Sequence, residues 1–125
     1  MTNKIIGKYG EDIAKNFLIK KGFKILETNY RYSRIAEIDI IASKKDILHF
    51  VEVKTRTQEF FGKPLEAITS NKLKQIFSCA IQYMNNSKIK YKSYQIDAIG
   101  IILDKDKTKN IEFIENIIIE WVIKN

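Results

Sequence analysis

Two short apolar segments, Ala36-Glu37-Ile38-Asp39-Ile40-Ile41-Ala42 and Leu48-His49-Phe50-Val51-Glu52-Val53-Lys54, carry acids and a lysine inside stretches that otherwise read as β-strands. Strand side chains alternate between faces, so Glu37 and Asp39 share one face of the first segment, and Glu52 and Lys54 share one face of the second. The intervening Ser43-Lys44-Lys45-Asp46 is polar and short. That suits a hairpin loop, which makes the segments antiparallel neighbours and sets Asp39 beside Glu52. Phe50, Val51 and Val53 make the second segment apolar on both faces. Its charges therefore belong in the middle of a sheet, where burying them without partners or a cation is costly. The bland alternative is an internal ion pair, or the solvated face of an edge strand.

The surrounding chain supplies the rest of an α/β unit. Ile5, Ile6, Tyr9, Ile13, Ala14, Phe17 and Leu18 fall at helical spacings between about Ile5 and Lys21, and Gly22 follows as a stop. Phe23 to Tyr32 reads as an edge-like strand, giving a three-stranded meander with the two charged segments. Gln58 to Pro64 is a loop. Thr69, Ser70 or Asn71 caps a second helix that runs to about Met84 and buries Leu73, Ile76, Phe77, Ala80, Ile81 and Met84. Ser93 to Leu103 is too continuous and β-branched for a surface helix, so it is a buried strand and the second helix is a crossover. Asp104 to Asn110 reads as a charged turn, Ile111 to Ile114 as a returning strand, and Ile117 to Ile123 as either strand or helix. No repeat or Pro/Gly-rich linker divides the 125 residues, so one domain spanning residues 1–125 is expected, a mixed sheet flanked by helices.

A hard divalent cation such as magnesium needs only one or two carboxylates besides waters and substrate phosphate. Asp39 and Glu52 are the candidate ligands. Lys54, on the face of Glu52, is placed to hold an attacking water and add positive charge at a scissile phosphate. Glu11 borders the buried stripe of the first helix, from where its carboxylate can lean over the sheet as a further ligand or water-orienting group.

These blocks carry a family likeness. Gly7-Lys8-Tyr9-Gly10-Glu11-Asp12-Ile13-Ala14, Ala36 to Ala42, Phe50-Val51-Glu52-Val53-Lys54-Thr55-Arg56, and Phe61-Gly62 followed by Pro64 resemble the YraN family of small bacterial proteins. That family is similar to archaeal Holliday junction resolvases and to the restriction-endonuclease-like superfamily. The resemblance implies a restriction-endonuclease-like three-layer sandwich and a Mg2+- or Mn2+-dependent nuclease. Asp39, Glu52 and Glu11 would be metal ligands, Lys54 would assist the water, and a homodimer is implied by the junction-cutting relatives. Ala36 stands where the family usually has glycine, and Gln95 where arginine is expected before Asp97.

Other residues frame the partner. A net charge of +7 favours polyanions. Arg56, where the second charged strand leaves the sheet, and Lys72 and Lys74, at the start of the second helix, are candidate phosphate contacts. Glu37 is a supporting acid, or a sheet charge paired with Arg34 or a lysine. His49 has the opposite parity to Glu52 and reads as structural. The tyrosines and Trp121 read as core before base-stacking groups. The lone Cys79 sits in an apolar helical pattern and cannot form an intrachain disulfide, which fits a reducing, cytoplasmic setting. The N-terminus lacks the continuous apolar stretch of a signal peptide, and no later run approaches membrane-spanning length, so a soluble protein is expected. The first functional reading is a nuclease hydrolysing phosphodiester bonds in DNA, including branched or recombination structures. The alternatives are a non-catalytic nucleic-acid-binding module of the same fold, and a structural or protein-interaction domain.

Overall fold

A computed structural model describes residues 2–34, 36–58 and 62–117. Helix α1 (Asn3–Lys20) starts two residues before the apolar periodicity, because the Thr2 hydroxyl accepts from the Ile5 amide at 3.2 Å and caps it. It stops where Gly22 takes φ +92°, a value open to glycine. Strands β1 (Lys24–Arg31), β2 (Glu37–Lys44) and β3 (Ile47–Thr57) form the antiparallel meander. The β2–β3 turn is only Lys45-Asp46, both at positive φ as a tight two-residue hairpin requires. After a 3-10 turn at Pro64–Ala67, helix α2 (Ser70–Asn86) is capped by the Thr69 hydroxyl, which accepts from the Lys72 amide at 3.1 Å. The helix carries the chain over to β4 (Ser93–Asp104), parallel to β3, and β5 (Lys107–Ile114) closes the order β1-β2-β3-β4-β5.

The five-stranded mixed sheet lies between the helices as a three-layer α/β unit. On the α1 side, Ala14, Leu18 and Phe23 pack on Ile40, Val51, Ile99 and Ile101. On the α2 side, Leu73, Ile76, Cys79 and Ala80 pack on Ile38, Phe50 and Ile96. Two buried layers explain why β3 and β4 read as continuous apolar runs. Backbone contact is closest at Gly10 of α1, where a Cβ would lie 1.8 Å from Thr55 Oγ1, so only glycine lets this helix settle onto β3. At Gly100 of β4 a Cβ would meet Leu65 Cγ at 2.9 Å, so the 3-10 turn also sits directly on the sheet.

Three local expectations change. The charged turn shrinks to Lys105-Asp106, and β5 begins at Lys107, because an exposed edge strand can carry Lys107 to Asn110 in its ladder without burying them. Phe77 and Ile81 of α2 are exposed rather than buried. The buried stripe is Leu73, Ile76 and Ala80 with Cys79, so the two apolar neighbours flank it, and Phe77 touches Tyr94 with ring centroids 6.4 Å apart. On α1, Ile5 and Tyr9 are exposed, while Gly10 takes a buried position. Cys79 is fully buried, as expected of a core residue. Trp121 and most of Ile117 to Ile123 lie outside the described residues, as does Phe61. Among the described residues, no helix is long and apolar enough to cross a membrane.

Candidate metal and nucleic-acid site

The β2–β3 ladder is paired up to Ile40 and Val51, and there the backbones part. The Asp39 carboxylate replaces the missing strand partner and accepts from the Val53 amide at 2.8 Å. Around Asp39 the strand also twists: Ile38 packs with the α2-side core and Ile40 with the α1-side core, although alternation would give both the same face. The parted strands leave a notch reachable from both helical layers. A cleft of about 440 Å3 there is lined by Glu11 and Gly7 of α1, Asp39, Glu52, Lys54 and Arg56 of the parted strands, and Lys72 of α2.

Six of the seven sequence-derived site residues, Glu11, Asp39, Glu52, Lys54, Arg56 and Lys72, thus line one cleft. Lys74 does not line it and is exposed. Glu37 faces Arg31 at 3.6 Å, not Arg34. Glu11 lines the cleft, but its Oε1 accepts from Asn29 Nδ2 at 2.8 Å. Asn29 adopts φ 51°, a left-handed value asparagine tolerates better than most residues, and that turns its amide toward α1. No helical or strand periodicity announces this contact.

The electrostatics set the notch apart. Burial, foremost, and the neighbouring Glu52 carboxylate push the Asp39 carboxyl up from 3.8 to about 8, against the Val53 amide and Lys72, which lower it. Burial also raises Glu11, with the Asn29 hydrogen bond opposing and Asp39 and Glu37 adding to the rise. Glu52 is 3% exposed. Lys72 Nζ stands 3.4 Å from Glu52 Oε2, close enough for charge pairing but without the direction of a hydrogen bond. Lys54 is half-buried and makes no ion pair among the described residues. Among the described residues, the buried side-chain oxygens lacking any hydrogen bond are Glu52 Oε2 and Thr57 Oγ1, and both residues line this cleft. Native interiors leave few polar atoms unsatisfied, so two in one cleft mark a place built for something further.

The donors fit a hard divalent cation. Asp39 and Glu52 offer carboxylate oxygens from adjacent strands, one oxygen is orphaned, and a cation would offset the burial and the neighbouring Glu52 carboxylate that together keep Asp39 protonated. Mg2+ and Mn2+ suit such oxygen donors.

A second buried polar pair lies on the other face of β3. His49 Nδ1 and Asp97 Oδ2 are 2.6 Å apart, with side chains 4% and 0% exposed. Asp97 Oδ1 accepts from Gln95 Nε2 at 2.8 Å and from the Asn116 amide at 2.9 Å. His49, Asp97 and Glu115 bring ligand-type atoms within 4.8 Å of one another. The 2.6 Å spacing is that of a charge-assisted hydrogen bond, and the Phe23 ring packs edge-on against His49 with centroids 4.8 Å apart. His49 therefore has the structural setting expected of it. Asp97, given no role from sequence, ties β3, β4 and the segment after β5 together. Its partners come from the parallel β3–β4 register, which sequence pattern does not reveal.

Residues 10–101 match the model of the Uncharacterised protein family UPF0102. A UPF0102 protein of Dictyoglomus turgidum is 45% identical over 117 residues, covering 93% of this chain and 98% of the relative. One from Dictyoglomus thermophilum is 48% identical over 105 residues, covering 84% and 88%. One from Clostridium novyi is 45% identical over 115 residues, covering 91% and 95%. With a family match across most of its length and relatives this similar end to end, the chain belongs to UPF0102, the YraN family.

Proposed function

We propose that this protein is a metal-dependent nuclease of restriction-endonuclease-like fold that hydrolyses phosphodiester bonds in DNA, branched or recombination structures included. The observation that carries the reading is the notch itself: the buried Glu52 carboxylate, one oxygen of it unsatisfied, and the half-buried Asp39 carboxylate come from parted strands, beside a Lys54 ammonium that makes no ion pair among the described residues, in a chain of net charge +7. Asp39 and Glu52 would hold Mg2+ or Mn2+, with Glu11 joining once released from Asn29. Such an ion would supply Lewis acidity, acidifying the attacking water and offsetting charge on the phosphoryl oxygens. Lys54 orients the water through its ammonium hydrogens, and Arg56 lines the path by which a phosphate enters. The water oxygen bonds to phosphorus and gives up a proton to solvent, one phosphoester P–O bond breaks, and the departing oxygen takes a proton from solvent. Cytoplasmic action on DNA and a homodimer placing two clefts on two strands complete the proposal.

The test is cleavage of linear, flapped and four-way-junction DNAs with Mg2+ or Mn2+ by the wild type and Glu52→Ala. Metal-dependent cutting lost in the variant is the expected result. Equal, salt-sensitive binding by both proteins without cutting would instead favour a non-catalytic DNA-binding module. One observation favours the structural alternative, the Lys72 ammonium beside Glu52, since an internal ion pair needs no metal.

A further inference from the structure

Lys72 stands where neither helix packing nor its capping requires it. Its backbone is fixed in the first turn of α2 through the Thr69 cap, but its side chain, 31% exposed, turns inward to Glu52 Oε2 at 3.4 Å. The oxygen it approaches is buried and otherwise without a hydrogen bond. Lys54, on the same strand as Glu52, leaves that oxygen to Lys72. A divalent ion coordinating the oxygen would sit about 2 Å from it, crowding an ammonium already beside the same atom, and the two cations repel.

We infer that Lys72 is an internal counter-cation, a positioning residue that occupies the Glu52 carboxylate until a divalent ion displaces it, after which its ammonium swings to the cleft mouth and contacts substrate phosphate. The inference rests on the nuclease reading's metal site and adds that metal loading and phosphate recruitment are coupled through one side chain. The same contact that resembles a structural ion pair is then the resting state of the site. A flexible four-carbon stem and partial exposure permit the swing, and Arg56 lines the same cleft.

The test titrates metal-free protein with Mn2+ in the absence of DNA, reading the free-ion EPR signal, for wild type, Lys72→Met, Lys72→Gln, Lys72→Arg and Glu52→Gln. Removing the competing charge should tighten Mn2+ binding about tenfold in Lys72→Met and Lys72→Gln. Lys72→Arg should keep the wild-type affinity, and Glu52→Gln should abolish it. Saturable wild-type binding that is unchanged or weakened in both neutral variants would overturn the inference while leaving the metal site standing. Absence of saturable binding in the wild type and in every Lys72 variant would overturn the metal reading and this inference with it. The second half is read from DNA affinity against salt, with Ca2+ as a non-hydrolysing ion and again with chelator. Lys72→Met should reduce the salt slope by about one phosphate contact with Ca2+ and leave it unchanged with chelator. The same reduction in both conditions would overturn the coupling.

Discussion

Strand β3 buries a charged cluster on each of its faces, and the two are built in opposite ways. At His49 and Asp97 the described polar contacts converge: imidazole, Gln95 amide and Asn116 backbone all meet one carboxylate. At Asp39 and Glu52 two acids meet, one is pushed up to about 8, and an oxygen of the other has only a loosely directed ammonium for company. Both clusters bear the desolvation cost of buried charge. The first offsets it internally and so holds strands together. The second leaves part of it outstanding, which is the usual signature of a site that completes itself with a ligand.

The contrast can be broken at either cluster. The largest effect is expected from Asp97→Ala, which strands His49 in the core and leaves the half-buried Gln95 and Asn116 amides without their acceptor; a loss of about 3–5 kcal/mol in urea-unfolding stability is expected. A loss under about 1 kcal/mol would remove the clasp role. Next, Mg2+ or Mn2+ at about one hundred times its Kd should stabilise the wild type by about 2.7 kcal/mol, read as a rise in Tm, and should do little for Glu52→Gln. Equal shifts in both would detach the ion from the notch.

Asp39→Asn tests the outstanding cost directly. The native carboxyl holds its proton up to about pH 8, whereas the unfolded chain releases it near 3.8, so the native state binds more protons across that window and stability falls as pH rises through it. In chelator at pH 7, the asparagine variant should therefore be more stable than wild type, by up to about 4 kcal/mol. The gap should close below about pH 4. A variant less stable than wild type at pH 7 would show that the buried acid is as well compensated as Asp97.

Much of this was legible in the sequence because it is local. Alternation separated Glu52 and Lys54 from His49 along β3 but fails around Asp39, where the strand twists; a four-residue polar link announced the hairpin, and β-branched continuity announced β4. What escaped depended on partners far apart in the chain. Lys72 read as a phosphate contact because nothing in α2 shows that its side chain meets a carboxylate twenty residues earlier. Asp97 acquires its meaning only when parallel register sets Val51 opposite it and His49 one step along the same face. The start of β5 was hidden because its exposed edge residues have turn-like composition while obeying the ladder. Phe77 and Ile81 matched the helical stripe but lie beyond the width of sheet that α2 covers.

The two-residue Lys45-Asp46 turn also governs the order in which the notch assembles. A tight hairpin closes within about 1–10 μs, whereas the parallel β3–β4 pairing that docks α2 spans a long stretch of chain and comes later. The two carboxylates therefore meet before the lysine that faces them arrives, and the nascent chain passes through a stage of uncompensated like charge. Refolding in stopped flow should be faster at pH 5.5 than at pH 9, above the value of about 8 at which the Asp39 carboxyl releases its proton, and an unchanged rate would place the hairpin after α2 docking. The ions and protons that the finished cleft answers to would then also set how quickly a newly made chain acquires it.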